Sequence, residues 1–106
     1  MTITEYFDKL PNRIIREVSD FSSPTIFHFK LWGDGGGEYT VAIISNKAVV
    51  SHGLINDPTC VIKTTDKIFT DAINGTINVQ MSILKGHIKI SNLGEYMKYA
   101  KSIGLA

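Results

Sequence analysis

Three histidines, His28, His52 and His87, and one cysteine, Cys60, are the side chains best suited to hold a metal or act as a nucleophile. A zinc site gathers three or four such ligands at about 2.0–2.3 Å from one ion. The histidines fall on separate strand-like segments, without close ligand spacing or a carboxylate partner, so surface or pocket-rim positions fit them better. Cys60 with His52 would form a nucleophile and base. No acid is placed to orient that imidazole, and no helix N-terminus lies at the cysteine to favour its thiolate. A small core residue on a strand is the better reading of Cys60. The run Gly33-Asp34-Gly35-Gly36-Gly37 lacks the Gly-Lys-Ser/Thr ending of a phosphate loop and leads into a strand, which makes it a hairpin turn. The residues thus offer no catalytic group, metal site or bound cofactor.

Composition narrows the classes further. The 106 residues are 43% hydrophobic and 20% charged, which suits one globular domain over residues 1–106. Eleven basic against ten acidic side chains leave a net charge of +1, too little for a nucleic-acid partner. Residues 1–53 carry five basic and six acidic groups, and residues 54–106 carry six and four. Apolar runs such as Val41-Ala42-Ile43-Ile44 are far shorter than the roughly 20 residues that span a bilayer. The N-terminus lacks the basic and apolar regions of a signal peptide. With a single cysteine, these features set the expectation of a cytoplasmic protein.

The elements that position these residues follow from periodicity. Thr2-Ile3-Thr4-Glu5 has the form of a capping box, followed by Ile3, Phe7 and Leu10 at helical spacing. Pro11 is expected to end or kink that helix, with Ile14, Ile15 and Val18 as a second short piece and a break at Ser22-Ser23-Pro24. From Thr25 the period becomes two: Phe27, Phe29 and Leu31 face one way, Ile26, His28, Lys30 and Trp32 the other. Trp32 is read as a packing residue at the strand end. Tyr39 to Ile44, Ala48 to His52 after an Asn46-Lys47 turn, and Cys60 to Thr64 supply further strands, which suggests an antiparallel meander. Thr65 or Asp66 can cap a helix carrying Ile68, Phe69, Ala72 and Ile73, closed by Asn74-Gly75. Val79 to Leu84 reads as a short helix ended by Gly86, and His87 to Ser91 as a strand. Leu93, Met97, Ala100 and Ile103 form the apolar stripe of a last helix. Helices segregated from a sheet define an α+β chain.

Taken in order, these segments resemble the sterol carrier protein type 2 family. Tyr6-Phe7-Asp8-Lys9-Leu10-Pro11 is similar to its opening helix, and Gly33 to Tyr39 resembles its first hairpin. Thr65-Asp66-Lys67-Ile68-Phe69 followed by Gly75 resembles the helix after its fourth strand. Gly75-Thr76-Ile77-Asn78 and Gly86-His87-Ile88-Lys89-Ile90 repeat its two glycines eleven residues apart. The chain departs from the family at Val79, usually proline, at His87, usually lysine, and at Asn92-Leu93, usually Gly-Asp. Leu93 in place of aspartate removes an expected helix cap.

The resemblance implies a five-stranded, mostly antiparallel sheet with helices covering one face and an apolar tunnel between them. It implies a non-catalytic carrier or presenter of a long-chain fatty acid, acyl-coenzyme A or sterol-like lipid, with at most transient membrane contact. Such a tunnel would be lined by Ile68, Ala72, Ile73, Ile77, Met81 and Leu84 on the helical side. Phe29, Ile43, Ile62, Ile88 and Ile90 would face them from the sheet, with Met97 from the last helix. The alternative is a structural or interaction domain whose tunnel is filled by side chains such as Phe27, Phe29, Phe69 and Met81, and which pairs with another chain or a lipid enzyme. Lys85, His87, Lys89, Lys98 and Lys101 form a local positive excess, read as a solvated face or as a weak attractor for anions or an anionic membrane.

Overall fold

The computed structural model describes residues 1–17, 23–45 and 47–106. The chain runs α1 (Ile3–Glu17), β1 (Thr25–Trp32), β2 (Gly37–Ile44), β3 (Lys47–His52), β4 (Cys60–Thr65), α2 (Asp66–Ile73), α3 (Val79–Leu84), β5 (Lys89–Ile90) and α4 (Leu93–Tyr99). The expectations at Val18, Ser22 and Asn46 lie outside the described residues.

The capping box forms as the sequence suggests. Thr2 Oγ1 accepts from the Glu5 N–H at 3.1 Å, and the Thr2 N–H donates to Glu5 Oε1 at 3.0 Å. Pro11, however, does not end the helix, which continues through it to Glu17. An interior proline costs about 3 kcal/mol or more. Ile3, Phe7, Leu10 and Ile14 are all buried on one face, each contributing about 1.5–3 kcal/mol, and their burial outweighs that cost.

The sheet order is β3-β2-β1-β4-β5. β1, β2 and β3 form an antiparallel meander, but β4 crosses to the other side of β1 and pairs with it in parallel, Cys60 opposite Phe27 and Ile62 opposite Phe29. The four-strand meander is thereby corrected. Alternation fixes which face a residue occupies, and both placements of β4 satisfy it, so the periodicity does not choose the neighbour. β5 closes the far edge antiparallel to β4, with only two residues in the ladder.

One sheet face carries Phe27, Phe29, Leu31, Tyr39, Val41, Ile43, Cys60 and Ile62, all buried beneath the helices. The opposite face is partly covered by the β3–β4 loop. There His28, expected at a surface or rim, is buried, with Nε2 2.9 Å from the Ile55 carbonyl. Thr40 Oγ1 beside it donates to the Gly53 carbonyl and accepts from the Ile55 N–H. Trp32, expected to pack, is 55% exposed.

The last helix is rotated from its expected setting. Tyr96, Tyr99, Ala100 and Ile103 turn inward, while Leu93 and Met97 are exposed. Two tyrosines bury more apolar area than a leucine and a methionine, and their hydroxyls find partners. Tyr96 donates to the Leu105 carbonyl, and the Tyr99 hydroxyl lies 3.5 Å from Thr25 Oγ1. Asn92 takes over the capping role, accepting the Glu95 N–H at 3.1 Å.

Candidate functional site

The space between sheet and helices is where an apolar ligand would have to lie. It is packed with aromatic rings. Phe7 stacks on Tyr39 with centroids 3.9 Å apart and meets Phe29 edge-on at 5.2 Å. Phe69 from α2 lies 5.2 Å from Tyr6, 5.9 Å from Phe7 and 5.8 Å from Phe29. Phe27 meets Tyr99 of α4 edge-on at 5.7 Å. α2 is held over this layer at its N-terminus: the cap Thr65 Oγ1 accepts the Ile68 N–H, and Asp66 Oδ2 accepts the Gly35 N–H from the hairpin turn. The second contact needs the Gly33–Gly37 turn to lie close to α2. A Cβ at Gly36 would sit 2.2 Å from the Leu31 carbonyl oxygen, so only glycine fits there.

The segment after α4 closes the layer. Ile103 and Leu105 are buried, and three side chains pin the backbone around them. The Tyr6 hydroxyl donates to the Ile103 carbonyl at 2.6 Å, Arg13 Nε donates to the Ser102 carbonyl at 2.9 Å, and Tyr96 binds the Leu105 carbonyl. Arg13 Nη2 adds a bond to the Lys101 carbonyl. Burial in this setting pushes the Tyr6 and Tyr96 phenols up, so both stay neutral donors. These three pinning residues carry no sequence signal beyond their apolar or basic type. Their partners are backbone carbonyls up to 97 positions away.

The twelve residues assigned to a lining occupy three settings. Phe29, Ile43, Ile62, Ala72 and Ile88 are buried in the central layer. Ile68, Ile73, Ile77 and Ile90 are half-buried and pack against it. Met81, Leu84 and Met97 stand outward at 46%, 80% and 62% exposure. The larger surface grooves lie elsewhere. One of about 370 Å³ runs along α1 past Tyr6, Lys9, Leu10 and Arg13, one of about 360 Å³ lies between Ile3, Gly35, Asp66 and Thr70, and one of about 240 Å³ lies between Pro11, Tyr39, Val50 and His52. Ile90 borders a smaller one of about 170 Å³ with Val61 and Lys63.

The reactive side chains are held apart. Cys60 is buried, its thiol 3.5 Å from the Asn92 carbonyl, and burial pushes its pKa up. His52 lies on β3, three strands from Cys60 or roughly 14 Å at normal strand spacing. Among the described residues, no three His, Cys, Asp or Glu side chains group to hold a metal ion. No helix among them is long and apolar enough to cross a membrane.

An α+β layer of this kind, a five-stranded sheet with β4 returned in parallel beside β1, defines a known class of domain. The structure is similar to sterol carrier protein domain 2 of Helicoverpa armigera, with a TM-score of 0.67 at 25% identity over 95% of this chain and 84% of that one. It is similar to palmitated SCP2L2 from Aedes aegypti, with a TM-score of 0.74 at 14% identity over 97% and 95% of the two chains. A TM-score of 0.74 at 17% identity also relates 99% of this chain to 16% of the sec-alkyl sulfatase PisA1, so the same unit occurs inside a much larger enzyme. No protein-family model matches the sequence, and no curated protein matches it. The chain has the sterol carrier protein 2 fold, in agreement with the resemblance carried by its motifs.

Proposed function

We propose that this protein is a cytoplasmic, non-catalytic lipid carrier that holds a long-chain acyl lipid between its sheet and its helices. The supporting observation is the sheet face on which Phe27, Phe29, Val41, Ile43 and Ile62 are buried beneath the helices, in a fold shared with a protein described as palmitated. Burying a methylene contributes about 0.8 kcal/mol, so a tail of about 16 carbons offers roughly 12 kcal/mol before ordering costs. Such binding needs no specific polar contact and accepts fatty acids, acyl-coenzyme A or sterol-like ligands.

The aromatic packing gives this reading a mechanism. The tail takes up its place by displacing rings and loosening the pinned segment Ser102–Leu105, and the lipid head stays at the rim. The structure corresponds to the closed state of that exchange, and the twelve lining residues are those the open state turns toward the tail. The same packing favours a second reading, an interaction domain whose interior is permanently filled. NMR with isotope-labelled palmitate separates the two. Cross-peaks from the tail to Phe29, Ile62 and Ile88 support the carrier. Saturating palmitate that leaves those resonances unmoved supports the filled domain.

A further inference from the structure

The outer face of the sheet, turned away from the helices, carries a row of like charges. Lys30 of β1 lies directly opposite Lys63 of β4, and Lys63 directly opposite Lys89 of β5. Alternation puts all three on the face opposite Phe29, Ile62 and Ile90. At normal strand spacing they stand about 4.8 Å apart and span about 10 Å. Like charges directly opposite in a sheet are destabilising, and the fold sets two such pairs side by side. Among the described residues the one ion pair is Lys98 with Glu95, so these three ammonium groups have no carboxylate in salt-bridge reach. Glu38, opposite Lys30 on β2, ends the row and leaves it at +2 (three lysines less one glutamate). The rows on either side shape the site. On one side the β3–β4 loop folds over the neighbouring row, where the Ile55 carbonyl meets His28. On the other side, two residues along β1, Trp32 stands 55% exposed opposite Thr65. A groove of about 170 Å³ opens at the β5 end, lined by Lys63 and Lys89 with Val61, Ile90 and Ser91.

We infer that this face binds a nucleoside diphosphate group, with the phosphates on the Lys30–Lys63–Lys89 row and the base stacked on Trp32. A compact anion placed among the lysines turns their mutual repulsion into attraction, and their flexible stems let three ammonium groups converge on it. Three lysines over about 10 Å suit a ligand with two or three negative charges and are too few for a polymer. The exposed indole supplies the second contact. It lies about 7 Å along β1 from the Lys30 position, and any base can stack on it, since every base has a π-face. The charges are exposed, so binding would be reversible and would weaken as salt rises. A free nucleotide and a coenzyme A thioester both carry this group. The site itself does not depend on the carrier reading, and only the thioester would join the two.

Trp32 is the one tryptophan of the chain, so its fluorescence reports on the site directly. Titration with ADP at low salt is expected to quench it to saturation, with AMP binding more weakly and inorganic pyrophosphate displacing the nucleotide. By calorimetry, Lys63→Gln with Lys89→Gln is expected to weaken ADP binding about tenfold, and Trp32→Ala about tenfold without changing the affinity for pyrophosphate. The double lysine variant should also unfold at a higher urea concentration than the wild type, because a like-charge pair is gone. Lys101→Gln, at an exposed position after α4, is expected to change nothing. No binding of ADP, equal affinity for ADP and AMP, or wild-type affinity in the double lysine variant or in Trp32→Ala overturns the inference. Coenzyme A binding more tightly than ADP identifies the thioester as the source of the group, and equal or weaker binding identifies a free nucleotide. Palmitate affinity is expected to be unchanged in every variant, so failure of this site and failure of the carrier reading are read separately.

Discussion

If rings occupy the path of the lipid tail, removing one should improve binding while weakening the fold. Phe69 is the test position: it is buried and lies against Tyr6, Phe7 and Phe29. Phe69→Ala is expected to cost about 3–5 kcal/mol of stability. At about 24 cal/mol per Å³, some 2 kcal/mol of that corresponds to a residual cavity near 80–100 Å³. A cavity of that size has room for about three methylenes, each contributing about 0.8 kcal/mol when buried. A bound tail should therefore gain about 2.4 kcal/mol, or roughly fiftyfold in Kd. Displacement of a fluorescent fatty acid reads the affinity, and urea unfolding with and without palmitate reads the stability. Phe69→Leu is the gentler variant and should move affinity in the same direction by less. A folded Phe69→Leu protein with unchanged or weaker affinity would refute the reasoning, because the ring would then lie outside the tail's path.

Other consequences are more local. Tyr6→Phe leaves the buried Ile103 carbonyl without its donor and should cost about 1–3 kcal/mol in urea unfolding, with faster amide exchange confined first to residues after Tyr99. Asn92→Ala removes the cap of α4 and a bond to the Thr59 carbonyl, and should cost about 1 kcal/mol or somewhat more in the same assay. Stability should fall at alkaline pH. Cys60 and Tyr6 are raised above their ordinary values of 9.0 and 10.0, so the unfolded chain releases these protons first. Their contribution is fully present below about pH 9 and declines as pH rises past it, and Tyr6→Phe should flatten the decline measured by thermal unfolding.

Much of the fold was legible because it depends on local pattern. The Thr2–Glu5 box, the Thr65 cap and the alternation of Phe27, Phe29 and Leu31 are each determined within a few residues. What was not legible depends on contacts distant in sequence. The parallel pairing of β4 with β1 is invisible to periodicity, since either neighbour keeps Cys60 and Ile62 on the same face. Pro11 argued locally for a break, and the buried stripe from Ile3 to Ile14 overrode it. On α4, Leu93 and Met97 fit an apolar stripe as well as Tyr96 and Tyr99 do. The tyrosines turn inward because the backbone carbonyl of Leu105 and the hydroxyl of Thr25 are there to meet them. For the same reason the assigned lining divides between buried Phe29, Ile43 and Ile62 and outward Met81, Leu84 and Met97.

The central claim is that this domain holds a lipid. Native mass spectrometry of the freshly purified protein, followed by denaturing extraction and titration with palmitate and an acyl-coenzyme A, tests it most directly. The account predicts a population heavier by one acyl lipid, or an apo protein that takes up one equivalent on titration. A protein that stays apo through both titrations would contradict it and leave a filled interaction domain on the sterol carrier protein 2 fold.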